Sequence, residues 1–545
     1  MLSSQTSQTG PFSKAPLISP TAKKIAVIRA MLFENATALF LLAAMAYLYY
    51  FLFVPPFVPV EGNGIGDCYL YLAPGQRMFD QGQLIYRDVF EFVTPGTALV
   101  NLLMLKLFGL RVWIPNVLVM LLTLGLVWTG VVISRKLMRP SLVFLPSTLF
   151  LLGARPYLYD PTHHWYSLLA AMAAIAVMLE RRTTARIVAA GFFCGLCASF
   201  TQTRGLTVYV GFAVFLLWES WQTQEKWRPL LKRQAWLLTG FVATCLAVNG
   251  YFIWKAGIAR FFWCTVVFVL KYYPQQADAN TFRTVGTDFP NYESLHTFLR
   301  PFLNWLSLVA LPPVVYILFF ARYWRERDRK SLEYWQRPML VGIVGFFMFL
   351  SIAPSPGIIR MTVSSLPALV LLGWLLDSPR KAARTFLVIF SAWAVFVAVH
   401  SLTRRKPVSV GTLTTPQGKL VFTNETLYQE YIWMQDHTRP GDYFFGDGED
   451  FPTEHFYLNL RYPTPLTGVT PNGYTTSEQV AEVVAGLKQH PTQYIYWETK
   501  GMDDIPKWEN PADDHLGPLR DYMRSNYRVV KVFAGTDEIW ERNAN

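Results

Sequence analysis

Long apolar runs separated by short polar stretches dominate the chain up to residue 402 of 545. A helix needs about 17–25 apolar residues to cross the hydrocarbon core of a bilayer. Runs of that character occur at 32–53, 113–134, 141–154, 164–179, 186–203, 205–218, 236–255, 302–321, 338–354, 361–376 and 385–402. The pattern predicts a polytopic α-helical membrane protein with about eleven transmembrane helices. The stretch 257–270 is apolar and aromatic, but Arg260 interrupts it. That suits a helix lying in the headgroup region rather than a further span. Three stretches are more mixed: 55–111, 256–301 and everything after Thr403. In the last, helices are expected at Val421–Asp436 and Ser477–Gln489, the second capped by Thr476 or Ser477. Strands are expected at Asp442–Phe445, Tyr494–Glu498 and Val529–Phe533. A C-terminal α/β domain over 403–545 follows.

Charge orients this layout. Lys14, Lys23, Lys24 and Arg29 precede the first run. The loops on the same side hold Arg135, Lys136 and Arg139; Arg181, Arg182 and Arg186; and Lys226, Arg228, Lys232 and Arg233. They continue with Arg322, Arg325, Arg327, Arg329 and Lys330, and with Arg380, Lys381 and Arg384. The alternate loops are sparse in basic residues near the span ends. By the positive-inside rule, 1–31 is a cytoplasmic tail and 32–402 the membrane domain. The outer loops 55–111 and 256–301 and the C-terminal domain are then extracytoplasmic, at an inner (plasma) membrane. The net charge of +12 would suggest nucleic acid in a soluble chain. Here it reads as topology, so the expected surroundings are membrane lipids and no nucleic acid. Charged residues make up 16% of the chain, against about 25% in soluble domains, which excludes an ordinary globular enzyme. Five cysteines make no disulfide framework. Cys194 and Cys197 form a C-x-x-C inside an apolar run without neighbouring His, Asp or Glu, which reads as packing. About thirty mostly polar residues precede the first run and no small-residue cleavage site follows it, so no secretory signal is expected.

Candidate chemistry concentrates in the outer loops. In the first, Asp67 follows a glycine-rich approach and opens a helix-like stretch through Phe79, which Gly82 ends. Asp88 and Glu91 then precede Thr94-Pro95-Gly96. Solvated loop charge is the plain reading of such carboxylates. The second outer loop runs Arg155-Pro-Tyr-Leu-Tyr-Asp160-Pro-Thr-His163-His164-Trp165. Asp160, His163 and His164 have the chemistry of a divalent-cation site, but adjacent histidines on a helix point apart, and hydrogen bonding or an interfacial Trp-His belt suits them better. Arg155, Arg204, Lys271 and Arg360 lie at outer span ends, Arg360 within A-P-S-P-G-I-I-R. Each could also be a snorkelling headgroup anchor. In the tail, Asp442, Asp447, Glu449 and Asp450 crowd one glycine-containing turn without the alternation of a calcium loop. Asn424-Glu-Thr is a glycosylation sequon by pattern only.

An Asp heading an aromatic helix, then Q-R-M-F-D-Q-G-Q-L-I-Y-R-D-V-F, then an acid followed by Pro, resembles the first periplasmic loop of GT-C glycosyltransferases. More narrowly, it is similar to the bacterial branch related to protein O-mannosyltransferases and aminoarabinose transferases. The likeness is strongest over 66–109 and extends in layout to the membrane region. Asp67-Cys68 and Val93-Thr94 depart from the family pattern, which leaves the donor sugar open. The resemblance implies a GT-C-like membrane domain and a polyprenyl-phosphate sugar as donor. It implies hexosyl or pentosyl transfer to a hydroxyl of a protein, lipid or glycan acceptor. Such a donor needs no nucleotide-binding unit, and the tail has no strand, Gly-rich loop and helix in sequence. Asp67 would be the general base, with Glu91 and Asp88 positioning acceptor or base. Arg360, Arg155, Arg204 and Lys271 would meet the donor phosphate, and His163, His164 and Tyr71 would contact donor or acceptor. No metal ligand is assigned, although a divalent cation is compatible with the chemistry. The alternative is a transporter or lipid flippase with an outer domain. Transporters carry ionisable residues at mid-membrane, whereas these span centres hold almost no charge. A mere anchor for the tail would need one span.

Overall fold

The computed structural model describes residues 20–54, 66–154, 161–404, 406, 408–446, 451–503 and 510–544. Helices α1 (Pro20–Leu52), α2 (Gly66–Asp80), α3 (Gly96–Phe108), α4 (Ile114–Ser134) and α5 (Leu145–Ala154) come first. They are followed by α6 (His163–Met178), α7 (Thr184–Phe200), α8 (Gln202–Gln222) and α9 (Trp227–Ala256). Beyond a helical stretch with a π turn at Trp263–Val267, the bundle is completed by Leu295–Trp305, Leu311–Glu326, Leu332–Leu350, Ile358–Leu376 and Lys381–Thr403. Every apolar run of the sequence is helical. Among the described residues six helices are long and apolar enough to cross a membrane: Met31–Leu52, Ile114–Ser134, Trp227–Ala256, Thr297–Glu326, Ile358–Leu376 and Lys381–Thr403. Others are shorter; α6, with 16 residues, rises only about 24 Å at 1.5 Å per residue. The mixed stretch 55–111 contains an element that its polarity concealed, the apolar helix α3.

Helices α7 and α9 pack backbone against backbone. A Cβ at Gly191 would lie 2.2 Å from the carbonyl oxygen of Leu237, and one at Gly240 would lie 2.2 Å from that of Val188. Gly191 and Gly195 are one turn apart, so a strip of small residues lets the backbones touch. In hydrocarbon, where burial adds no driving force, such close van der Waals contact holds helices together. Cys194 and Cys197 sit in this seam, fully buried and as free thiols.

The C-terminal region contains a hairpin of β1 (Gly411–Thr415) and β2 (Gly418–Phe422), then a four-stranded sheet. Its strands are β3 (Phe444–Gly446), β4 (Tyr494–Glu498), β5 (Tyr527–Phe533) and β6 (Asp537–Arg542), in the order β3-β4-β6-β5. β3 pairs parallel with β4, and the other pairs are antiparallel. The helix expected from Val421 begins instead at Glu425. Val421 and Phe422 finish β2, and Asn424 caps the helix by accepting the Leu427 N–H at 3.2 Å. The strand expected at Asp442–Phe445 begins at Phe444. β6 was hidden because only Ile539, among flanking charged and aromatic residues, is fully buried. This region shares a core with the bundle. Tyr69, Leu72, Leu105, Ile114 and Leu118 pack with Leu420, Phe422, Tyr431 and Phe456 in one apolar cluster.

Candidate functional site

Several helices begin at the end of the bundle that carries the C-terminal domain, and polar side chains gather at their first turns. His163 and His164 open α6, with ring centroids 3.9 Å apart. Tyr71 of α2 stands edge-on to His163, centroid to centroid 4.7 Å. His163 Nδ1 lies 2.8 Å from Thr201 Oγ1, which donates to Ser167 Oγ at 3.1 Å. Arg204, in the first turn of α8, donates through one nitrogen to Ser167 Oγ at 2.6 Å and the His164 carbonyl at 3.0 Å. Arg204 is 1% exposed, yet its Nε, His164 Nδ1 and Thr162 Oγ1 have no hydrogen-bond partner among the described residues. Buried donors without acceptors are costly and rare in finished structures. A group with acceptor oxygens would complete the Arg204 Nε–H, and the Thr162 hydroxyl could donate to it as well.

Arg360 lies in the first turn of the Ile358–Leu376 helix. Its guanidinium donates to the Ala279 carbonyl, Tyr273 Oη and Asn280 Oδ1, each at 2.8 Å, and to Ser355 Oγ. All four partners are neutral. Its charge reaches His163, His164 and Arg204. Asp288 accepts the Ile358 N–H beside it, and burial pushes this carboxyl above its ordinary range. The loop before α3 forms an adjoining wall. Gln202 donates to the Phe92 carbonyl at 2.9 Å and to that of Thr265 at 3.1 Å. The Phe92 ring is 5.3 Å from that of Tyr273. Next to it, the Glu91 carboxylate accepts the Val93 N–H at 2.9 Å. Burial raises Glu91 to about 7, against the opposing pull of the Val93 and Phe92 N–H groups.

The expected site residues thus divide. Tyr71, His163, His164, Arg204 and Arg360 gather at one end of the bundle, with Glu91 in the adjoining wall. Asp67 is in the first turn of α2, four residues before Tyr71, and its side chain lies outside the described residues. Arg155 and Asp160 also lie outside them, as do the tail acids Asp447, Glu449 and Asp450. Asp88 closes a local turn: it accepts the Leu84 N–H at 2.8 Å and pairs with exposed Arg87, whose hydrogen bond lowers its pKa. Lys271 is exposed, its ammonium 4.9 Å from the Tyr272 ring centroid. Among the described residues no three His, Cys, Asp or Glu side chains converge as metal ligands.

No protein-family model matches the chain, and no curated protein matches it by sequence. Solved structures do. ArnT from Cupriavidus metallidurans bound to undecaprenyl phosphate aligns with a TM-score of 0.52 at 14% identity, over 94% of this chain and 98% of that one. The chain has the GT-C fold. The apo state of the same ArnT aligns with a TM-score of 0.49 at 15% identity, over 95% and 98% of the two chains. The archaeal oligosaccharyltransferase AglB from Archaeoglobus fulgidus, solved with an inhibitory peptide and a dolichol-phosphate, gives 0.46 at 12% identity, over 94% and 74%. The likeness is one of fold.

Within this fold, the stretch that carried the family resemblance holds two domains together. Tyr69, Leu72, Ala73, Gln76 and Arg77 follow the i, i+3, i+4, i+7, i+8 spacing of one helix face, and all are buried. Arg77 donates to Gln83 Oε1 at 2.7 Å, to the Thr464 carbonyl at 2.7 Å and to the Pro465 carbonyl at 3.3 Å. Its guanidinium lies 4.9 Å from the Tyr462 ring centroid. Burial lowers Arg77 to about 10, so it stays charged at neutral pH. Asp80, which reads from the sequence as an ordinary turn residue, accepts from Gln76 at 3.4 Å, and burial raises it to about 6. Sequence reasoning passed over Arg77, although polar residues on an otherwise apolar helix face were the available signal. It also passed over Thr201, Tyr273, Asn280 and Ser355, for which no local signal exists. An apolar cavity of about 420 Å³ is lined by residues including Phe150, Leu306, Leu311, Ser365, Leu369 and Trp393.

Proposed function

We propose that the chain is an integral-membrane glycosyltransferase that moves a sugar from a polyprenyl-phosphate donor to an acceptor hydroxyl on the outer face of the inner (plasma) membrane. The N-terminus is cytoplasmic and the C-terminal domain extracytoplasmic in this reading, as the basic loops require. The observation that carries it is the gathering of Arg360, Arg204, His163 and His164 at the bundle end where Asp67 heads α2, with the buried Arg204 Nε–H left, among the described residues, for an incoming oxygen acceptor. A phosphate could exchange with the neutral partners of Arg360 for charge-assisted bonds, which are shorter and stronger. Arg155 and Lys271 are further cations for the same group. The apolar cavity begins within about two helical turns of Arg360, counted along its helix to Ser365 and Leu369, and suits an isoprenoid tail.

The acceptor hydroxyl attacks the anomeric carbon, and the bond from that carbon to the phosphate oxygen breaks. The hydroxyl proton goes to the Asp67 carboxylate, and the electron pair of the broken bond stays on the phosphate. Cations meeting that growing charge supply the electrostatic part of the rate enhancement. Glu91 orients the acceptor or the base, with Asp88 outside it on the same loop. Tyr71, His163 and His164 contact the sugar. A base of this kind contributes about 10²–10⁴-fold. Asp67→Asn should therefore cut turnover of a synthetic polyprenyl-phosphate sugar in nanodiscs by roughly 10²-fold or more, with an unchanged thermal melt. Full turnover in the folded variant would remove Asp67 from the reaction. Movement of the lipid across the bilayer without sugar transfer would favour the flippase reading instead.

A further inference from the structure

We infer that the C-terminal domain takes part in donor binding through Tyr474, a positioning residue that acts on Arg360 by way of Tyr273. This rests on the functional reading above and adds to it a contribution from the domain outside the bundle. The loop that carries Tyr474 is held at both ends. At its start, Arg77 fixes the Thr464 and Pro465 carbonyls, and the Phe90 N–H donates to the Pro465 carbonyl at 3.1 Å. At its end, Thr476 and Gln479 form a capping box on the Ser477–Gln489 helix. Between them, Asn472 Oδ1 accepts from the Tyr474 N–H at 3.1 Å and from Thr470 Oγ1 at 3.0 Å, and Thr475 Oγ1 accepts the Thr470 N–H at 2.8 Å. A loop so pinned presents its side chain at little entropic cost.

The loop runs close against the segment that meets Arg360. A Cβ at Gly473 would lie 3.3 Å from the Gln275 side chain, so the glycine permits the approach. The Tyr474 ring stands 5.2 Å from Phe268, 6.2 Å from Tyr273 and 6.3 Å from Phe92. Phe92 in turn is 5.3 Å from Tyr273. Four rings from three distant parts of the chain therefore make one wall. Tyr273 projects from that wall, its hydroxyl 2.8 Å from Arg360 Nη2. Aromatic pairs at these separations add directional stabilisation beyond the area they bury. With Tyr474 removed, Tyr273 loses a ring that flanks it, and the guanidinium loses a fixed partner.

The test uses the full chain in nanodiscs, with undecaprenyl phosphate as probe for binding and a polyprenyl-phosphate sugar for turnover. Tyr474→Ala should weaken undecaprenyl phosphate binding and raise the donor KM by about 5–10-fold, with the acceptor KM and kcat unchanged. Tyr474→Phe, which keeps the ring, should restore wild-type values. In a Tyr273→Ala background, Tyr474→Ala should cost nothing further, because the two act in series. Equal binding and equal donor KM in wild type and Tyr474→Ala would overturn the inference while leaving the functional reading intact. A full additional loss in the Tyr273→Ala background would also overturn it, since Tyr474 would then act on stability or acceptor. Failure of the wild-type chain to bind undecaprenyl phosphate would overturn both.

Discussion

Arg77 and Arg204 are both 1% exposed, yet their nitrogens are partnered differently. Arg77 is satisfied on all sides, by the Gln83 amide oxygen, two loop carbonyls and the face of Tyr462. Arg204 uses one nitrogen for two oxygens and leaves Nε without a partner among the described residues, beside the equally unpartnered His164 Nδ1. A buried cation with every nitrogen partnered is a rivet. A buried cation with donors in reserve is poised for something not yet there. The comparison teaches which of the two cations can take a ligand: the one with a nitrogen still unpartnered among the described residues.

The largest expected effect falls on the rivet. Arg77→Ala strands two buried carbonyls and a glutamine, and each unsatisfied group costs about 1–3 kcal/mol. A stability loss of about 3–5 kcal/mol is expected, read as a lowered Tm and as faster proteolysis of the C-terminal domain. Next comes Arg204→Gln, which keeps hydrogen bonds to Ser167 but removes the charge. It should leave Tm within a few degrees of wild type and weaken undecaprenyl phosphate binding by about 10–100-fold, the worth of one charge-assisted contact. If Arg204→Gln lost as much stability as Arg77→Ala and no more affinity, the contrast between the two arginines would be void.

Glu91 gives the subtler test. Its carboxyl is raised to about 7 by burial, whereas the unfolded chain releases that proton near the ordinary 4.5. Between those values the folded state holds more protons than the unfolded one. Stability attributable to this group is therefore present below about pH 4.5, falls as pH rises to about 7, and is level above. Glu91→Gln should flatten the Tm profile in that window. If ionised Glu91 orients the acceptor or the base, the wild-type rate should also rise with an apparent pKa near 7 that the glutamine variant lacks. An unchanged Tm profile would show that the carboxyl is not held in the environment described.

Much of the architecture was legible along the chain. Apolar runs of helical length mark the bundle because hydrocarbon admits no unsatisfied backbone, so a spanning segment must be written continuously in sequence. The Ser477–Gln489 helix was equally plain, since its capping box and apolar spacing are local. The elements that escaped lacked such local writing. Helix α3 is short and embedded in a mixed stretch, and β6 buries little besides Ile539. Candidate residues were legible by type, as isolated cations and carboxylates at the ends of runs. Which of them meet was not. Asp88 and Glu91 are three residues apart and read alike, yet one pairs with exposed Arg87 and the other accepts a backbone N–H with its pKa raised by desolvation.

The sequence by itself determined that this chain lives in a membrane, how its helices follow one another, and which residue types wait at their ends. Those properties depend on hydrophobicity and spacing within about twenty neighbouring residues. Only the tertiary structure decided that Arg77 fastens the domain beyond the bundle, and that Arg204 Nε and His164 Nδ1 are buried without a partner among the described residues. It alone brought Tyr474 to the wall that flanks Arg360. Each of these depends on groups distant in the chain becoming neighbours, 40 residues apart for Arg204 and His164 and hundreds for Arg77 and Tyr474. Hydrogen bonding and charge act over a few ångströms of space, and position along the chain carries no record of that distance.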